Sequence, residues 1–155
     1  MNIIIAVFLI GFAVGLRTFT GPAVIAWAAY FGLIVLTGTA ASFLASPIAA
    51  VVITLLAVSE YVFDLLPQAP PRTGIPGLTG RFIFGTLSAA CLLLATGQSL
   101  GFCVLGGLAA VVGAFAGYQA RTQLGRRLDV RDVYIAIPED LVAIAIAAAA
   151  IFTVS

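Results

Sequence analysis

The 155-residue chain contains no Lys and no His, and only 8% of its residues are charged. Soluble domains typically carry about 25% charged residues, so a water-soluble surface cannot be assembled from this sequence. The absence of His removes the commonest general base and metal ligand, and neither a metal nor a cofactor is expected. Cys91 and Cys103 lie inside apolar runs without a CxxC spacing. They read as small packing residues rather than a disulfide or metal pair. There is no P-loop, no nucleophile elbow and no GxGD of the kind intramembrane proteases carry. No catalytic residue is assigned, and an enzyme acting on a lipid is the least supported class. Nucleic-acid binding is unsupported as well, because the few basic residues are pressed against apolar segments.

What the chain does have is hydrocarbon, at 63% of its residues. A helix needs about 20 residues to cross a hydrocarbon core roughly 30 Å thick. Six apolar segments can be drawn, at approximately 2–16, 22–37, 47–66, 80–97, 100–122 and 137–154. The expected fold is therefore an all-α bundle of six membrane segments in a single domain, with 1–72 and 73–155 as candidate three-helix halves. The first two segments are short and are separated by "RTFTGP" at 17–22. Either they span a thinned bilayer, or this sequence is a break held within the membrane, where protein or a wet cavity must satisfy its polar backbone. The N-terminus lacks the basic region of a cleavable signal peptide, and Arg17 interrupts the apolar run before "AWA" at 26–28. The segment is expected to be retained as the first membrane helix.

All positive charge is Arg, and the seven Arg sort to one side of a six-crossing bundle. Arg17 follows the first segment, Arg72 and Arg81 flank the third link of the chain, and Arg121, Arg126, Arg127 and Arg131 follow the fifth segment. By the positive-inside rule that side is cytoplasmic, placing both termini outside the inner membrane of a bacterium. The central stretch "PQAPPRTGIPG" at 67–77 holds four of the seven Pro and reads as a non-helical connection. Two incompatible repeat frames can be drawn: "RTFTG" with "RFIFG", or "GFAVGLRTFTG" with "GAFAGYQARTQLG". The GxxxG steps Gly11/Gly15 and Gly113/Gly117 favour close helix packing inside the molecule over dimerisation.

After forty-two uncharged residues, 18 to 59, Glu60 and Asp64 arrive one turn apart. Carboxylates spaced i,i+4 share a helix face, and at membrane depth they must pair, protonate or meet water. Arg17 is the expected partner of Glu60, since guanidinium holds carboxylates bidentately and stays charged when poorly hydrated. Arg81 and Arg121, the latter beside Tyr118 and Gln119, are further candidates at similar depth. "RRLDVRD" at 126–132 reads as a topology anchor, with an anionic-lipid contact as the minority reading. "PED" at 138–140 is expected to open the last helix, where Glu139 and Asp140 would favour its dipole. Their alternative use is to complete a charged ring with Arg17, Glu60 and Arg121.

The order "GLRTF", then "EYVFDLLP", then a Pro-rich link, an R-x-x-x-x-R-R segment and a final "ED" helix resembles a family of small bacterial integral-membrane proteins. That family is catalogued as domain of unknown function 4126. The resemblance covers nearly the whole chain and draws attention to Arg17, Glu60, Asp64, Pro67, Arg121, Glu139 and Asp140. Members often carry Lys directly after the Asp of E-x-x-x-D. Leu65 stands there in this sequence, so charge pairing through that Lys is not expected. The resemblance implies a membrane location and no activity.

Two functional classes follow from the residues. The first is a small transporter or channel-like protein for an ion or polar solute. In it Glu60, with Asp64, is the ion-responsive acid and Arg17 its counter-ion. The alternative is a non-transporting scaffold or accessory subunit whose Arg–Glu pairs fix helix register. The expected partners are the lipid bilayer, a small ion or polar solute, and a second copy of the chain, because a bundle this small has little room for a private pathway.

Overall fold

The computed structural model describes residues 3–64, 73–128 and 133–154. Pro67, Arg72 and Arg131 lie outside the described residues, as do most of the Pro-rich link and the "DVRD" part of the mixed-charge link. Within those limits the chain is all-helical. The helices are α1 (Ile3–Leu16), α2 (Thr20–Tyr30), α3 (Pro47–Phe63), α4 (Ile75–Ala95), α5 (Cys103–Leu128) and α6 (Val133–Phe152). Three of them, α4, α5 and α6, are long and apolar enough to cross a membrane. At 1.5 Å per residue, the 14 residues of α1 extend only about 21 Å and the 11 of α2 about 16 Å.

Local chemistry sets the helix limits. Ser46 accepts a hydrogen bond from the Ala49 N–H at 3.1 Å and Pro47 follows it, a capped helix start with Pro in the first turn. Two expected boundaries move for the same reason. Pro76 occupies the first turn of α4, where no N–H is needed, so the helix begins inside the stretch expected to be irregular. The second apolar run does not stay helical to 37. It leaves the helix at Tyr30, and Gly32 and Gly38 take φ of +73° and +80°, left-handed turns that fold residues 31–41 back. Ile34 and Leu36 are thereby buried against the core.

α1 occupies the centre, packed most extensively on α5 and then on α4 and α6, while α3 lies outside against α2. Small residues allow this. A Cβ on Gly11 would stand 2.2 Å from the Gly106 carbonyl oxygen, and one on Gly15 would stand 2.2 Å from that of Ala110. On its other side Gly106 meets α4, where an added Cβ would lie 2.6 Å from the Gly85 carbonyl oxygen. The backbones of α1, α5 and α4 are in direct contact, so these glycines serve packing within the chain. The apolar core, including Ile10, Ile25, Leu92 and Leu93, surrounds this seam. Yet the largest fully buried side chain is Arg17.

Candidate functional site: a charged cluster at the break between α1 and α2

The chain leaves α1 at Leu16 and re-enters a helix at Thr20. That break frees backbone N–H groups which, in an apolar surrounding, need acceptors. Glu60 on α3 supplies them: its Oε1 accepts from the Thr18 N–H at 2.8 Å and its Oε2 from the Phe19 N–H at 3.0 Å. No side chain of the break itself caps α2; a carboxylate from another helix does so, with a negative charge at the positive end of the α2 dipole. One residue on, the Tyr61 hydroxyl shares a 2.6 Å hydrogen bond with Thr20 Oγ1.

Arg17 sits in this break with no exposed surface. Its Nη1 donates to Asp64 Oδ2 on α3, and its Nε stands 2.5 Å from Asp140 Oδ1 on α6. The second contact is off the N–H direction, so it is an ion pair rather than an aligned hydrogen bond. The guanidinium carbon lies 5.1 Å from the centroid of the Tyr61 ring, a cation–π distance. Two further arginines close the cluster. Arg81 Nη2 is 3.9 Å from Glu60 Oε1, and Arg121 Nη1 is 3.9 Å from Glu139 Oε2. Arg121 also reaches the Asp64 carbonyl at 3.5 Å, meeting the negative end of α3. Gly117 makes room for Glu139, whose Oε1 would be 3.0 Å from an added Cβ there.

Seven of the eight sequence-predicted residues therefore meet: Arg17, Glu60, Asp64, Arg81, Arg121, Glu139 and Asp140. Tyr118 does not. It is 47% exposed and faces outward, one helical step of about 100° round from Gly117. Two readings are corrected. The partners of Arg17 are Asp64 and Asp140, not Glu60, because the face of Glu60 is turned to the backbone amides of the break. Glu139 and Asp140 do not open α6, which starts at Val133 and carries Pro138 in its interior. They lie in its second turn, beyond the positive end of the dipole, and join the charged ring instead. Tyr61, Thr20 and the amides of Thr18 and Phe19 were missed. Tyr61 stands between the two carboxylates, and its hydroxyl was the one available signal.

The cluster is recessed. Asp140 lies seven residues into α6 and Arg121 seven before the end of α5, which puts both about 10 Å inside the ends of those helices. Arg17 and Asp64, at the ends of their own short elements, sit at that same level. Among the described residues, three guanidinium groups face four carboxylates. The acid side chains retain 11–16% exposure. Among the described residues no three of His, Cys, Asp or Glu gather as a metal-binding set.

Two cavities flank the site. One, of about 420 Å³, is apolar and lies between α2, α3 and α4, separated from the charges by the Phe19–Phe84 ring pair at 5.0 Å. The other, of about 290 Å³, opens between α5 and α6 and includes Arg121 and Glu139 in its wall. Comparison of the chain with family models, curated proteins and solved structures returned no match.

Proposed function

We propose that this chain is a six-segment protein of a bacterial inner membrane that moves a proton or another small monovalent cation through its charged cluster. The observation that carries this reading is a fully buried arginine shared by two aspartates: Arg17 meets both Asp64 and Asp140, each of which keeps some exposure. Two carboxylates held against one buried guanidinium repel each other, and a proton or small cation taken up between them relieves that repulsion. Its release restores the repulsion, so uptake and release can alternate. Glu60 is the least suited of the four acids to exchange a cation, because both its oxygens hold the α2 break.

The membrane setting is supported by the three long apolar helices and by the placement of Arg17, Arg81, Arg121, Arg126 and Arg127 at one end of the bundle, which the positive-inside rule makes cytoplasmic. The stacked Trp27–Phe31 pair, with Tyr30 beside it at the far end of α2, fits the opposite interface. In this setting α1 and α2 stop at the recessed cluster, leaving Arg17, Thr18 and Phe19 as irregular backbone at membrane depth.

The test is flux in proteoliposomes carrying a pH-sensitive dye, with Asp140→Asn as the decisive variant. Wild-type protein is expected to dissipate an imposed pH or cation gradient, and the variant to lose that flux while remaining folded. Equal flux in the variant, or none in the wild type, contradicts the reading. The scaffold alternative is favoured by one observation, the capping of α2 by Glu60. It requires that no gradient is dissipated and that charged-residue substitutions change only stability.

A further inference from the structure

α5 and α6 follow each other in the chain yet barely touch, because α5 is drawn onto α1 and α4 while α6 packs on α1 and α2. A groove is left between them, floored by Phe12 and Leu16 of α1. Its rim is formed by Ala120 and Leu124 of α5 and by Pro138 and Val142 of α6, all exposed. It therefore opens sideways, toward the acyl chains if the helices span a bilayer. Its volume of about 290 Å³ suits a single chain segment rather than a whole ligand.

The groove is not uniformly apolar. Arg121 lies in its wall toward the cytoplasmic end, and beyond Leu124 the last turn of α5 presents Arg126 and Arg127, both exposed. Arg127 is seven residues after Ala120 and so shares its helix face. Among the described residues Glu139 is the one acid in the wall, and it is paired with Arg121. A slot of hydrocarbon thus leads to Arg127, and among the described residues no charged one stands at the opposite end of α5 or α6.

From this we infer that the α5–α6 groove is a binding site for one anionic phospholipid, with an acyl chain in the slot and the phosphate on Arg127 at its mouth. Charge complementarity selects this occupant. A zwitterionic lipid fills the slot equally well but gains less from Arg127. A second copy of the chain would set like arginines against each other. The inference does not depend on cation transport.

The experiment uses the full chain purified in detergent. Native mass spectrometry follows titration with phosphatidylglycerol or with phosphatidylcholine of the same acyl chains. Phosphatidylglycerol is expected to bind at least tenfold more tightly. Arg127→Ala is expected to weaken it about fivefold, equivalent to about 1 kcal/mol for one basic residue, while Arg126→Ala, on the side of α5 away from Leu124, is expected to leave it unchanged. Ala120→Phe fills the slot without changing charge and is expected to weaken both lipids. Should that variant fail to fold, Leu124→Trp at the same exposed rim makes the comparison. Equal affinity for the two lipids, unchanged phosphatidylglycerol binding after the slot is filled, or displacement of the lipid by excess inorganic phosphate would each overturn the site.

Discussion

At the scale of single residues, Arg17 and Glu60 perform opposite halves of one task. The chain must break between α1 and α2. Glu60 satisfies the amides that the break frees, and Arg17 ties the same point to α3 and α6. Glu60→Ala removes a cap and leaves two donors without their acceptor, so a loss of about 2–4 kcal/mol is expected in a reversible unfolding titration. Glu60→Gln keeps one acceptor oxygen and should cost distinctly less. Arg17→Ala removes the buried cation between two aspartates and is expected to cost about 3–5 kcal/mol. Arg17→Lys should fall between, because an ammonium keeps the charge but not the fork. Much of this was legible from residue types alone, as each acid and arginine of the cluster stands out in an apolar chain. Which carboxylate meets Arg17 was not legible. Spacing i,i+4 places Glu60 and Asp64 on one face but says nothing about the rotation of that face against a distant element.

Among the elements, glycine governs how near the helices come. Gly11 and Gly15 on α1 and Gly106 and Gly113 on α5 leave no room for a methyl group between backbones. Gly15→Ala is expected to push α1 from α5 and to cost about 1–3 kcal/mol, the range for overpacking. Gly80, within α4, has nothing within 4 Å of an added Cβ. Gly80→Ala should therefore stabilise the protein by about 0.5–1 kcal/mol through helix propensity alone. The two variants, compared in one unfolding assay, separate glycines that serve contact from glycines that do not. The GxxxG spacing pointed to this seam before any coordinates did. The limits of α2 and α6 were hidden because hydropathy does not distinguish a helical apolar run from a folded-back one. Residues 31–37 are as apolar as a helix, yet positive φ at Gly32 turns them back. Pro138 resembles a helix start, yet α6 begins five residues earlier.

Over the whole molecule, hydrophobic packing and charge divide along the bundle axis. The apolar core fills one part, and the described charged side chains collect at the other, with the ion-paired cluster recessed about 10 Å from the ends of α5 and α6 and Arg126 and Arg127 in the last turn of α5. The one-sided Arg distribution in the sequence anticipated this polarity. It did not reveal that the short first hairpin stops at the cluster, since helix length alone leaves a thinned bilayer and an internal break equally open. A cation-handling cluster needs contact with water on at least one side. The most direct measurement is thiol accessibility in native membranes, with Cys91 and Cys103 replaced by Ala and single cysteines placed at 140 and at 10. The account predicts that an impermeant reagent labels position 140 from the cytoplasmic face while position 10, fully buried in the core, stays protected from both faces. Protection of position 140 from both faces in a folded protein would contradict it and leave a dry set of ion pairs whose work is structural.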